Sequence, residues 1–181
     1  QGLCSGYGIH SECQHYTWFY GFSYLGRYSS VLATAIWNAK YNFQFKILDE
    51  LANYLYLDLY SKGMLANINY ITYIPTYQHR LYWRGYNQSY YLAYIISRRA
   101  RLPLVQNMSK ISPNKTSQVG LKRVQRLENI KDSFVINSKP SPGNYLVIDD
   151  VYTTGATINE FCKHLCSDNS VTACVAVLAR D

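Results

Sequence analysis

Between Leu59 and Leu127 the sequence contains no Asp or Glu. Eleven basic residues fall inside that gap: Lys62, Arg80, Arg84, Arg98, Arg99, Arg101, Lys110, Lys115, Lys122, Arg123 and Arg126. The rest of the chain holds seven basic and all eleven acidic residues and nets −4 (7 − 11), so one segment carries the whole excess behind the formal charge of +7. A field of that sign attracts polyanions: a pyrophosphate-bearing metabolite, nucleic acid, or both. A basic surface that only keeps the chain solvated is the other reading.

Other absences narrow the class. No run of eighteen or more apolar residues occurs, so no membrane-crossing helix is expected. Residues 1–16 carry Cys, His and Glu where a signal peptide needs an apolar stretch, and the expectation is a cytoplasmic protein, at most peripheral to the inner face of the membrane. Five cysteines form an odd set without the rhythm of a disulfide framework, so reduced thiols are expected. There is no internal repeat. What is present, 181 residues of which 48% are hydrophobic, suffices for one compact domain and is cramped for two. That excludes a peptide, a coiled coil and a disordered tail.

Apolar spacing predicts helices over Tyr28–Lys40, through Val31, Leu32, Ala35 and Ile36, and over Phe45–Lys62, through Ile47, Leu48, Leu51, Leu55 and Leu59. Gly63 stands where the second would stop. Tyr70–Ile74 reads as a buried strand ending at Pro75, and Asn87–Arg101 as a helix with Leu92, Ile95 and Ile96 on one side. Residues 106–125 have the composition of a loop. Phe134–Asn137 and Tyr145–Ile148 read as strands, Ala156–Ser167 as a helix, and Val171–Ala179 as a last buried strand. Apolar strands alternating with helices predict an α/β fold with a mostly parallel sheet flanked by helices. The domain is expected over residues 28–181, with residues 1–27 a small appended segment.

The stretch YLVIDDVYTTGAT, from Tyr145 to Thr157, carries the sharpest chemical signal. A buried strand delivers Asp149 and Asp150 to its C-terminal end, where open α/β sheets bind ligands. The small residues Thr153, Thr154, Gly155, Ala156 and Thr157 then let the backbone wrap tightly, aim N–H groups at an anion and start a helix whose dipole favours negative charge. Two carboxylates beside a phosphate cradle need neutral or cationic company. Ribose hydroxyls and a hydrated Mg²⁺ provide it, so the pattern describes a ribose 5-phosphate site. Its alternative is a plain strand-to-helix turn in which Asp150 caps the helix and the threonines satisfy the backbone.

These thirteen residues resemble the phosphoribosyl pyrophosphate (PRPP) motif of type I phosphoribosyltransferases. Within that superfamily, Ile74-Pro75 with Arg80, then Arg84 to Gln88, resembles the competence protein ComF family. Thr116, Gln118, Arg126, Asn129 and Phe134, and Leu178 to Arg180, are similar to that family's middle and end. The resemblance covers about Tyr28 to Asp181. It implies a type I phosphoribosyltransferase-like fold and PRPP bound through Asp149, Asp150 and Thr153 to Thr157, the acidic pair serving catalysis. It also implies pyrophosphate held by Arg80 and Arg84, whose planar forks pair bidentately with phosphate oxygens. The reaction that the resemblance implies is displacement of pyrophosphate at ribose C1 by a nitrogen nucleophile, assisted by Mg²⁺. A loop over 109–126 would close on the ligand and bring Lys115, Lys122 or Arg123 near the leaving group.

Several readings stay open. Arg80 and Arg84 are alternatively surface residues whose stems cover Tyr82 and Trp83. Asn87 and Gln88 either cap a helix or reach the ligand. ComF proteins commonly begin with a zinc ribbon, and here Cys4 and Cys13 have its pair spacing but Tyr7 and Tyr16 at the second positions. Cys4, His10, Cys13 and His15 supply four zinc ligands at an unfamiliar spacing, or the segment packs without zinc through its aromatics. The resemblance implies a role in natural transformation, with other competence proteins and imported single-stranded DNA as partners. A non-catalytic module that binds single strands or partners on the same fold is the alternative, and the aromatics interleaved with arginines from Tyr73 to Tyr94 favour it.

Overall fold

The structure, a computed structural model, describes residues 17–42, 44–110 and 133–181. Its order is β1 (Gly21–Arg27), α1 (Ser30–Tyr41), α2 (Phe45–Ser61), β2 (Tyr70–Tyr73), α3 (Gln78–Arg84), α4 (Gln88–Ala100), β3 (Met108–Lys110), β4 (Phe134–Ile136), β5 (Gly143–Tyr152), α5 (Ala156–Leu165) and β6 (Val171–Arg180). Strands β1, β6, β5 and β2, in that order, form a wholly parallel sheet. Strands β3 and β4 make a separate antiparallel pair. This is the α/β class read from the apolar strands.

Alternation along the central strands explains why they are apolar throughout. Leu146 and Ile148 of β5, with Cys174, Ala176 and Leu178 of β6, pack on one side against Ile36, Leu55, Leu59, Leu92 and Ile96 from α1, α2 and α4. Tyr145 and Val147, with Ala173, Val175 and Val177, pack on the other against Phe134 of β4 and Phe161 and Leu165 of α5. Both faces are covered. The middle of each strand is buried, Tyr145–Ile148 in β5 and Ala173–Ala179 in β6, and the polar residues of β5 lie outside that stretch.

Residues 1–27 were expected as an appendage, but Gly21–Arg27 is a strand of the main sheet. It pairs with β6 from Gly21↔Cys174 to Arg27↔Arg180. The reason is hydrophobic: Phe19 and Phe22 are buried in the second core cluster, and the Phe22 ring meets Tyr152 edge-on at 4.8 Å. The zinc candidates Cys4, His10, Cys13 and His15 lie outside the described residues. So do Lys115, Thr116, Gln118, Lys122, Arg123, Arg126 and Asn129, and with them most of the expected loop. A second difference lies after Pro75, where a short helix that the apolar spacing does not announce, α3, follows with no buried residue.

If β1 belongs to the sheet, Phe22→Ala should lower the unfolding free energy by about 3–5 kcal/mol in urea denaturation. Unchanged stability would return the segment to an appendage.

Candidate active site

Strand β5 continues past Ile148, where the sequence pattern ends it, because β6 goes on pairing with it through Asp149↔Val177, Val151↔Ala179 and Tyr152↔Arg180. The acidic pair therefore sits on the strand itself, held by the ladder. Each carboxylate has its own partner. Asp149 Oδ1 accepts from the Ser89 hydroxyl at 2.7 Å and from the Asp150 amide at 2.9 Å. Asp150 Oδ2 pairs with Lys40 Nζ at 2.6 Å, the two side chains being 14% and 24% exposed. Burial and then the Asp150 charge push Asp149 up to about 7, against the pull of Ser89, the Asp150 amide and Lys40.

Beyond Tyr152 the chain turns sharply. Gly155 has φ +73°, and a Cβ there would strike the Tyr152 hydroxyl and ring, so both backbone and neighbour require glycine. Gly155 is also the N-cap of α5, and no side chain caps that helix; its first turn carries no acidic residue. Thr154 Oγ1 accepts from the Ala156 amide at 3.4 Å. Asp150 is engaged by Lys40 and is not the cap. The Thr157 and Ile158 amides of the first turn, which no side chain among the described residues caps, are left to water or an anion.

Facing this turn, α3 carries the arginines. Tyr82 and Trp83 are 87% and 81% exposed, so the arginine stems do not cover them. The Arg80 guanidinium lies 5.4 Å from the Tyr77 ring centroid, and that of Arg84 lies 5.3 Å from Tyr41, whose hydroxyl it also meets at 3.3 Å. Asn87 is a helix cap: its Oδ1 accepts from the Ser89 and Tyr90 amides of α4, and its Nδ2 donates to the Ile74 carbonyl. Gln88 differs. It is 5% exposed, and its Nε2, beside the Tyr86 phenol, has no hydrogen-bond partner of good geometry among the described residues.

Asp149, Asp150, Thr153, Thr154, Gly155, Ala156, Thr157, Arg80 and Arg84 line one cleft of about 190 Å³ at the C-terminal end of the sheet. Lys40, Gln88 and Ser89 line it too. The sequence pattern gives no hint of Lys40, 110 positions before its partner, or of Ser89, which reads as an ordinary helix residue.

Among known proteins, the chain is 33% identical over 147 residues to competence protein F of Haemophilus influenzae, covering 78% of this chain and 64% of that one. It is a homologue of competence protein F. Proteins named DNA utilization protein YhgH, from Shigella flexneri and Escherichia coli O157:H7, are each 25% identical over 156 residues. These cover 84% of this chain, which thus spans 64% to 69% of the length of its relatives. No family model matches. Among solved structures, an orotate phosphoribosyltransferase from Aeropyrum pernix aligns over 75% of this chain and 59% of its own, at 20% identity and a TM-score of 0.38.

The described residues contain no cluster of three or more His, Cys, Asp or Glu able to hold a metal ion. With Asp150 already paired to Lys40, the acidic pair alone does not make a magnesium cage. No helix among the described residues is long and apolar enough to cross a membrane.

The raised value of Asp149 means that the folded protein favours its protonated form. The stability this contributes is fully present below the ordinary 3.8 and is lost as pH rises through about 7. Asp149→Asn keeps an acceptor for Ser89, so it should remove that slope and gain stability on wild type as pH rises from about 4 to about 7. Parallel slopes for the two proteins in urea denaturation would show that Asp149 is ionised throughout.

Proposed function

We propose that the cleft binds PRPP. Ribose hydroxyls donate to Asp149 and Asp150, the 5-phosphate lies in the turn Thr153 to Thr157 against the uncapped N-terminus of α5, and pyrophosphate reaches Arg80 and Arg84. The observation that carries the reading is the shared cleft: an acidic pair, an anion cradle and two arginines, drawn from three elements, line one cavity at the ligand-binding end of a parallel sheet. The buried amide of Gln88, whose Nε2 lacks a partner of good geometry among the described residues, supports it, because such a donor calls for an acceptor and a phosphosugar is rich in oxygens.

Mg²⁺ enters the proposal with the ligand, carried on pyrophosphate, where it offsets charge. The chain's own residues orient the sugar: the carboxylates grip one edge of the ring and the turn fixes its phosphate, which leaves C1 toward the arginines. That arrangement suits displacement of pyrophosphate by a nitrogen nucleophile. Likeness to competence protein F and to DNA utilization proteins supports a role in natural transformation, beside the competence machinery that handles imported single strands.

A second reading keeps the fold without turnover and has it bind single-stranded DNA. It is favoured by the exposure of Tyr82 and Trp83 on the helix that carries Arg80 and Arg84, since stacking faces interleaved with cations suit unpaired bases.

Calorimetric titration separates the two. PRPP with Mg²⁺ should bind wild type, and the Asp149→Asn/Asp150→Asn double variant should lose at least about tenfold in affinity. Gln88→Leu should weaken binding while leaving thermal stability unchanged or raised, because the leucine removes an unpaired buried donor. Failure of wild type to bind PRPP would sink the site assignment. Binding of an oligonucleotide that falls steeply with salt and survives Asp149→Asn would favour the second reading.

A further inference from the structure

The last three residues of α1 each hold a different part of the cleft. The Ala39 carbonyl accepts from the Tyr86 hydroxyl. Lys40 Nζ pairs with Asp150 at 2.6 Å. The Tyr41 hydroxyl accepts from the Arg84 guanidinium, which also lies over the Tyr41 ring. Ala39 is fully buried and Tyr41 is pinned to an arginine, so the backbone that carries Lys40 is fixed on both sides. Lys40 is thereby held between the carboxylate proposed for ribose and the arginine proposed for pyrophosphate.

We propose that Lys40 is a specificity-determining residue: it neutralises Asp150 in the free protein and passes to pyrophosphate when the ribose hydroxyls of PRPP take Asp150. The inference rests on the PRPP reading above. Its physical basis is an exchange of partners. An ammonium on a four-carbon stem is a compact charge that swings without moving its helix. A pyrophosphate bound beside Arg84 offers it more negative charge than one carboxylate does, and hydroxyl donors replace it at Asp150. A sugar with only a 5-phosphate brings no anion to that end. Lys40 then stays on Asp150 and competes with the ribose hydroxyls, so the same ion pair that assists PRPP opposes ribose 5-phosphate.

Calorimetry on the full chain with PRPP and with ribose 5-phosphate, each in Mg²⁺, tests this on wild type, Lys40→Met and Lys40→Arg. Lys40→Met should lose about tenfold or more in affinity for PRPP while its affinity for ribose 5-phosphate holds or rises, which narrows the preference between the two. Lys40→Arg, which restores a cation, should recover most of the preference. Thermal melts verify folding, and Lys40→Gln, which still donates to Asp150, takes the place of Lys40→Met if the latter does not fold. An equal loss for both ligands, or unchanged affinity for PRPP in a folded variant, overturns the inference. Wild type binding neither ligand marks instead the failure of the PRPP reading on which it stands.

Discussion

Strand β5 is covered on both faces as far as Ile148, and that double cover decides where charge can begin. From Tyr145 to Ile148 each side chain is buried in one of the two core clusters, so a carboxylate there would be stranded in apolar surroundings at a cost of several kcal/mol. From Asp149 onward the ladder with β6 persists but the side chains are only partly covered. The backbone is therefore rigid where the side chains become polar. That combination of a fixed strand and an open end lets two carboxylates, a turn and a helix N-terminus keep one arrangement before any ligand arrives.

Adjacent acids at such a position would repel each other if left alone. The fold separates them by giving each a partner from a different direction: Ser89 from the start of α4 for Asp149, and Lys40 from the end of α1 for Asp150. A neutral donor on one and a cation on the other make the two groups unlike, and burial displaces Asp149 upward. Segments on both sides of the basic stretch thus converge on one cleft. Of its eleven charges, Arg80 and Arg84 line that cleft.

Much of this was legible in the sequence, for a reason visible in β5 and α5. Local signals suffice where a feature is built from neighbouring residues: the run before Asp149, the small residues around Gly155, and the apolar spacing of α2 and α4 each contain their own cause. Legibility failed where the cause is distant. Gly21–Arg27 has no strong strand pattern and becomes a strand because β6 offers it an edge and the core accepts Phe22. Lys40 looks like any solvent-facing helix end until α1 is laid beside β5. Asn87 and Gln88 are adjacent, polar and both in the cleft wall, yet Asn87 caps a helix while the Gln88 side chain is buried.

The contact between Gly155 and Tyr152 bears on how far the phosphate turn is a self-contained unit. Its shape is set by a ring lying against the glycine, and that ring rests in turn on Phe22, more than a hundred residues earlier in the chain. Thirteen contiguous residues are therefore not a transplantable module. Moved to another sheet without an aromatic where Phe22 lies, the same letters would carry Tyr152 but lose the ring that it rests on, and the cradle would have to find its support elsewhere.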